Sequence, residues 1–444
     1  MKDFLHLKAP GNWINDPNGF IYYKGQYHLF YQHFPFLPRW GTMHWGHAVS
    51  KDLVHWEHRG IALYPSKAYD RNGIFSGSAL EVDGRLYLYY TAVRYEQENP
   101  DNIHRALNNV FLASQAMLIS EDGIHFDNLE GKRQIIPVLT DSEAGDPQNT
   151  RDPKVWRTGQ GFRMILGSTR DGVGRLLFYR SEDGLRWTAA GQYTDPRLGT
   201  TLECPDLFPL KDGYLLLGSP MGITADGLQY PDQATYARAD FDEETCRFAL
   251  RQSPAILDWG LDLYAPQTTL DEQGRRVLIG WMRMPRAVRT SPDGRAPWRG
   301  MMSLPRLVEE RDEQVCFPVH PNAAACFTLP AKDLAPLDDH KPVRLQGTLH
   351  NGQAWNLGGY RIRMENGRIE TNRSAVFGGT EGYRLTARTP DLAADRCRLD
   401  VFLEENLIEI FIDDGRYVLS QVVLDLNRTL EGDFEQLTTV TPGR

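Results

Sequence analysis

The chain is short of three features that would have directed its reading elsewhere. Cysteine is scarce: five in 444 residues (Cys204, Cys246, Cys316, Cys326 and Cys397), widely spread and with no CxxC pair. That spacing offers neither a disulfide framework nor a thiolate zinc site, and it fits reduced thiols. No dense run of Lys and Arg exists, and the net charge is −9, so neither nucleic acid nor an anionic membrane is an expected partner. No apolar run approaches the roughly 20 residues of a membrane span. The opening Met1–Lys8 has no apolar core and no cleavage site, which leads us to expect a cytoplasmic protein. The sequons at Asn372 and Asn427 then read as chance matches.

Helical periodicity is scarce too, and what replaces it is informative. Short alternating or aromatic runs flank Gly turns, the pattern of an all-β chain. The hairpin pattern occurs at Phe20–Gln32, Ala79–Ala92, Pro153–Gly167, Pro205–Ser219 and Pro266–Met282. The turn glycines Gly25, Gly84, Gly161, Gly213 and Gly274 lie 59, 77, 52 and 61 residues apart. A second marker keeps phase with the first: Ser50–Trp56 (SKDLVHW) returns as Ser120–Phe126 (SEDGIHF) and Ser181–Trp187 (SEDGLRW). A degenerate copy ends at Phe248, and Phe317 closes a fifth.

Each unit thus holds two hairpins, enough for one four-stranded blade, and five units predict a five-bladed β-propeller over residues 1–320. Residues 321–341, rich in Pro, Ala and Asp, read as a connecting segment. Beyond it, strand-like runs at Val343–Leu349, Tyr360–Met364, Arg398–Leu403, Leu407–Ile412 and Tyr417–Leu424 predict a β-sandwich over 342–444.

Combining the repeat with the acidic residues points to a site. Asp16 and Asp152 each lie 9 residues before their turn glycine, and Glu203 lies 10 before its own. Each falls at the start of an innermost strand, where a propeller rings one mouth of its central channel. Ser76 and Ala265 hold the equivalent places in the other two units. Three carboxylates are therefore expected in one funnel, as a glycosidase requires, and crowding should raise at least one pKa. Trp13, Trp40, Trp45 and Phe75 offer flat faces to a sugar, and Asn15, Gln32, Ser76 and Arg151 offer hydrogen bonds to its hydroxyls.

These segments resemble glycoside hydrolase family 32, which contains invertases, sucrose-6-phosphate hydrolases and exo-acting fructanases. Trp13–Gly19 (WINDPNG) is similar to the family signature, Arg151–Pro153 to its RDP motif and Glu203–Pro205 to its EC motif. Phe75–Gly77, Trp40–His47, Tyr264–Gln267, Leu304–Arg306 and Ile408–Gly415 match further elements, in order along nearly the whole chain. The resemblance implies a retaining β-fructofuranosidase with Asp16 as nucleophile, Glu203 as acid/base and Asp152 holding fructose hydroxyls. It also implies a propeller followed by a sandwich, a small sugar as substrate, and no cofactor or metal. The HxxH spacing of His44 and His47 lies in a strand-rich context that favours structural or hydrogen-bonding roles over ligation.

Other points stay open on the sequence. A related propeller glycosidase acting on another furanoside, or a catalytically silent sugar-binding propeller, would share many of these features. Homo-oligomerisation is open. The long insertion Arg94–Val110 is expected to border the funnel or to be a surface or oligomer loop. Arg94, Arg105, Arg170 and Arg175 are candidates for binding a phosphate on the glucosyl side.

Overall fold

All five expected hairpins form, and each belongs to a separate sheet. Their first strands are Asn12–Tyr23, Gly73–Val82, Arg151–Thr158, Leu202–Pro209 and Leu263–Leu270. The turn glycines Gly25, Gly84, Gly161, Gly213 and Gly274 all have φ between 77° and 98°, a region that costs a side chain strain and glycine little. The computed structural model describes residues 1–440 apart from 226–227, 230–231, 290, 292, 331–340, 379–381 and 428.

The second repeated marker is a turn between the third and outer strands of a sheet. Asp52 accepts the backbone N–H groups of Val54 and His55, Asp122 those of Ile124 and His125, and Asp183 those of Leu185 and Arg186. The degenerate copy does the same through Asp242, which accepts from Glu244 and Thr245. Carboxylates cap such turns by satisfying amides that the ladder leaves free. The fifth unit departs from the pattern. Its third strand is split into Met301–Met302 and Arg306–Leu307, both paired with Arg276–Met282.

Apolar clusters lie between neighbouring sheets. Phe30, Trp45, Leu88 and Tyr90 join sheets one and two; Tyr89, Met117, Met164 and Leu177 join two and three; Ile165, Phe178, Leu216 and Phe241 join three and four. With the core placed there, the first strands meet one another in the middle. Sheet one touches sheet two, and so on through sheet five, whose first strand returns to that of sheet one.

Two further sheets occupy the C-terminal part, with Val343–His350, Arg396–Leu403, Leu407–Ile412 and Tyr417–Val422 in one and Tyr360–Glu365 in the other. They share one apolar core that also takes in Trp259 and Leu261. Within the expected connecting segment, Pro321–Ala324 is a short helix and Phe327–Pro330 pairs with Gln436–Val440; positions 331–340 lie outside the described residues. The contact between the two parts is charged as well as apolar. Glu409, fully buried, accepts from His6, Arg306 and the Leu304 N–H, while Arg373 pairs with Asp262. Among the described residues, no helix is long and apolar enough to cross a membrane.

Candidate active site

Each of the five first strands carries a β-bulge at the same level. The ladder slips between Ile14 and Pro17, Phe75 and Gly77, Arg151 and Lys154, Glu203 and Asp206, and Tyr264 and Gln267. A bulge bends its strand and re-aims a side chain while freeing a backbone amide. Asp152, Cys204 and Ala265 sit in these bulges with φ of 66°, 49° and 49°, a conformation non-glycine residues adopt at a cost of order 1–3 kcal/mol each.

The freed amides are taken up by the preceding sheet. Gly77 N–H donates to Asn18 Oδ1 at 3.1 Å, Asp152 N–H to Thr91 Oγ1 at 2.8 Å, Cys204 N–H to Asp152 Oδ2 at 2.9 Å and Ala265 N–H to Ser219 Oγ at 2.9 Å. Four consecutive sheets are thus pinned to their predecessors where the carboxylates emerge, and buried amides stay satisfied.

The three acids predicted to converge do so. A cavity of about 210 Å³ is lined by Asp16, Asp152 and Glu203 together with the predicted Asn15, Gln32, Trp40, Phe75, Ser76 and Arg151. Its size suits a single sugar ring rather than a polymer segment. Asp16 accepts Ser76 Oγ–H at 2.6 Å on one oxygen and Asn15 Nδ2–H at 3.1 Å on the other. Asn15 is held in turn by Trp13 Nε1–H at 2.7 Å. Gln32 donates to the Ile74 carbonyl at 2.9 Å, leaving its side-chain oxygen for another partner.

Glu203 is gripped on both oxygens. Arg151 donates to Oε1 from Nη2 at 2.9 Å and Nε at 3.2 Å, and the Tyr264 hydroxyl donates to Oε2 at 2.5 Å. Burial raises the Asp16 carboxyl above the ordinary carboxylate range; Ser76 opposes the rise, and the charge of Glu203 adds to it. Burial also raises Asp152, to about 7, with Arg151 pulling against it and Glu203 and Asp16 pushing further. Burial is thus the main cause of both rises, and the expected crowding by neighbouring carboxylates only adds to it.

Tyr264 and Trp281 also line the cavity. In the sequence Trp281 belongs to no motif, and Tyr264 stands only at the head of Tyr264–Gln267. Tyr264 was recoverable because it precedes the equivalent position Ala265; counting across the Gly274 turn sets Met282 opposite it, and only the bulge between Tyr264 and Gln267 moves Trp281 there. Trp45 departs from expectation. It is buried between sheets one and two, with Nε1 donating to the Phe75 carbonyl at 3.0 Å, so it supports the wall instead of facing the cavity. His44 and His47 bond to the Thr42 carbonyl and to His28.

The family description for the N-terminal domain of glycosyl hydrolases family 32 matches residues 6–320. The chain belongs to that family. Similar proteins include a sucrose-6-phosphate hydrolase of Escherichia coli, 34% identical over 440 residues, covering 94% of this chain and 88% of the other. A raffinose invertase of Escherichia coli is 35% identical with the same coverage. Among solved structures, sucrose-6-phosphate hydrolase from Lactobacillus gasseri superposes with a TM-score of 0.81 at 25% identity, covering 99% of this chain and 93% of that one. A Bombyx mori family 32 β-fructofuranosidase gives 0.79 at 27% identity, with coverage of 99% and 93%. The glycoside hydrolase class of the chain follows from its family.

Proposed function

We propose that this chain is a retaining β-fructofuranosidase that releases fructose from sucrose, sucrose-6-phosphate or short fructo-oligosaccharides. The observation that carries the reading is the meeting of Asp16, Asp152 and Glu203, from three different sheets, in one cavity sized for a sugar ring. The relatives named for sucrose-6-phosphate and raffinose support the substrate class, as does a variant of the Bombyx mori enzyme solved in complex with sucrose.

In this reading the five sheets are the blades of a propeller spanning residues 1–320, residues 321–341 connect, and 342–444 form a β-sandwich. The cyclic contact of the first strands supports it. Asp16 attacks C2 of the fructosyl unit while Glu203 protonates the departing oxygen. Water activated by Glu203 then cleaves the covalent intermediate, and configuration is retained. Asp152 receives fructose hydroxyls and stabilises the oxocarbenium-like transition state. Ser76 and Asn15 fix the orientation of the Asp16 carboxylate, and Arg151 with Tyr264 fixes that of Glu203. Trp13, Trp40, Phe75 and Trp281 supply apolar faces for the sugar and keep bulk water out. An Asp16–Glu203 carboxyl separation of about 5–5.5 Å is expected for retention.

A cytoplasmic location is supported by five free cysteines, which suit a reducing compartment. It fits imported sucrose, its 6-phosphate or short oligosaccharides better than polymeric fructan. The test is product analysis on sucrose, sucrose-6-phosphate, 1-kestose and inulin, with NMR of the first fructose anomer released. Fructose in the β form from the first three supports the reading. No fructose from any of them, or initial inversion, overturns it.

A further inference from the structure

The insertion Arg94–Val110 folds into a small hairpin, Glu98–Asn99 against Asn102–Ala106, closed by a turn at Leu107–Asn109. It leans on the aromatic rim of the cavity. His104 Nδ1 meets Thr42 Oγ1 at 2.9 Å, and its ring sits edge-on to Phe34 with centroids 4.8 Å apart. The next residue, Arg105, carries its guanidinium carbon 5.1 Å from the centre of the Trp40 ring, and Trp40 lines the cavity.

Two other lining rings carry an arginine: Arg283 lies 5.0 Å from the Tyr264 ring and Arg299 5.0 Å from that of Trp13. Those two are tied down by main-chain acceptors, Arg283 by Leu261 O at 2.6 Å and Arg299 by Met284 O at 2.8 Å. Arg105 is exposed, and among the described residues its side chain has no hydrogen bond or ion pair; the ring of Trp40 is what positions it. The remaining phosphate candidates are less available at the cavity. Arg175 is fully buried and bonds to the Ser142 carbonyl, Arg170 pairs with Glu143, and among the described residues Arg94, unlike Arg105, lies over no ring of the cavity wall.

A cation held on a ring face keeps its hydrogen-bonding fork open for a ligand. Neutral sucrose has little use for that fork. A phosphate monoester brings about −1.5 to −2 charges at pH 7, and Coulomb repulsion opposes its entry into a funnel built on three carboxylates. An unpaired guanidinium at the rim offsets this repulsion and can bond bidentately to the phosphate. We infer that Arg105 is a specificity-determining residue, selecting leaving groups that carry a phosphate monoester on the glucosyl side. This rests on the β-fructofuranosidase reading above.

The test uses the full chain and its Arg105→Gln and Arg105→Lys variants, with kcat and KM measured for sucrose and sucrose-6-phosphate across a range of ionic strength. The wild type should prefer sucrose-6-phosphate, with a preference that weakens as salt rises. Arg105→Gln should lower the ratio of the two kcat/KM values by about tenfold or more, chiefly through KM. Arg105→Lys, which keeps charge without the fork, should retain part of the ratio. An unchanged ratio, or a parallel fall on both substrates, overturns the assignment. A wild type that splits sucrose but not sucrose-6-phosphate also overturns it, while leaving the fructosidase reading intact. One that splits neither sucrose, sucrose-6-phosphate nor 1-kestose overturns that reading itself.

Discussion

Asp152 and Cys204 lie on the first strands of neighbouring sheets, and the Asp152 carboxylate accepts the Cys204 backbone N–H at 2.9 Å. The residue proposed to hold fructose hydroxyls is thus also a staple between sheets three and four. Substitutions at Asp152 should separate the two roles. Asp152→Asn keeps an acceptor for the amide; Asp152→Ala strands it, at a cost of about 1–3 kcal/mol. Both should lose nearly all activity, but only the alanine variant should unfold at clearly lower denaturant concentration.

The raised Asp152 pKa, about 7, gives the same position a pH signature. In the unfolded chain the group titrates near 3.8, so between about 4 and 7 the folded state binds more protons than the unfolded. Stability from this group is complete below the unfolded value and falls as pH rises through about 7. Asp152→Asn should therefore gain in Tm over the wild type at pH 8, with the gain shrinking toward pH 4. Thermal melts at both values check this; a gain independent of pH contradicts it.

Asp16→Asn removes the proposed nucleophile while keeping groups that Ser76 and Asn15 can bond. Turnover of sucrose should fall by at least about a thousandfold, because the covalent route closes, with the melting temperature unchanged or raised. Steady-state assay with calorimetry checks both halves of the statement.

Arg151 bonds to a single oxygen of Glu203 through two nitrogens, at 2.9 and 3.2 Å. Lysine preserves the charge and loses that fork. Arg151→Lys should lower kcat/KM by about tenfold or more, the worth of a hydrogen bond to a charged group. If Arg151 mattered only as a positive charge, the lysine variant would keep wild-type kinetics.

The contact between the N- and C-terminal parts should also respond to pH. Burial disfavours a charged His6, but Glu404 and Glu409 together raise it to about 9. Its contribution is complete below its ordinary value of 6.5 and is lost as pH rises through about 9. Glu409 is opposed by burial and lowered by Arg306 and His6 to about 2, so its contribution is lost only as pH falls through about 2. Denaturation of the wild type should weaken between pH 7 and pH 10, and His6→Gln should flatten that decline. Glu409→Ala, which leaves Arg306 buried without one partner, should cost about 3–5 kcal/mol.

Much of this protein was determined by sequence. Gly25, Gly84, Gly161, Gly213 and Gly274 mark the five hairpins because a tight turn demands positive φ, a requirement written into residue type. The Ser-x-Asp turns are equally local, since the carboxylate caps amides two and three residues away. Counting back from those glycines put Asp16 and Asp152 at one position and Glu203 one residue earlier, level with Arg151 and Tyr264, close enough to predict that the three share a mouth. Tertiary structure decided what depends on partners distant in the chain. The bulges that aim the three acids are satisfied by Asn18, Thr91, Asp152 and Ser219 on neighbouring sheets, and no local pattern encodes such a pairing. Trp45 reads like a sugar platform until packing buries it, and Arg105 is one of four arginine candidates until the inserted hairpin sets it over Trp40. The acids were legible because their spacing is a property of the chain. The direction in which each points is a property of the sheet beside it.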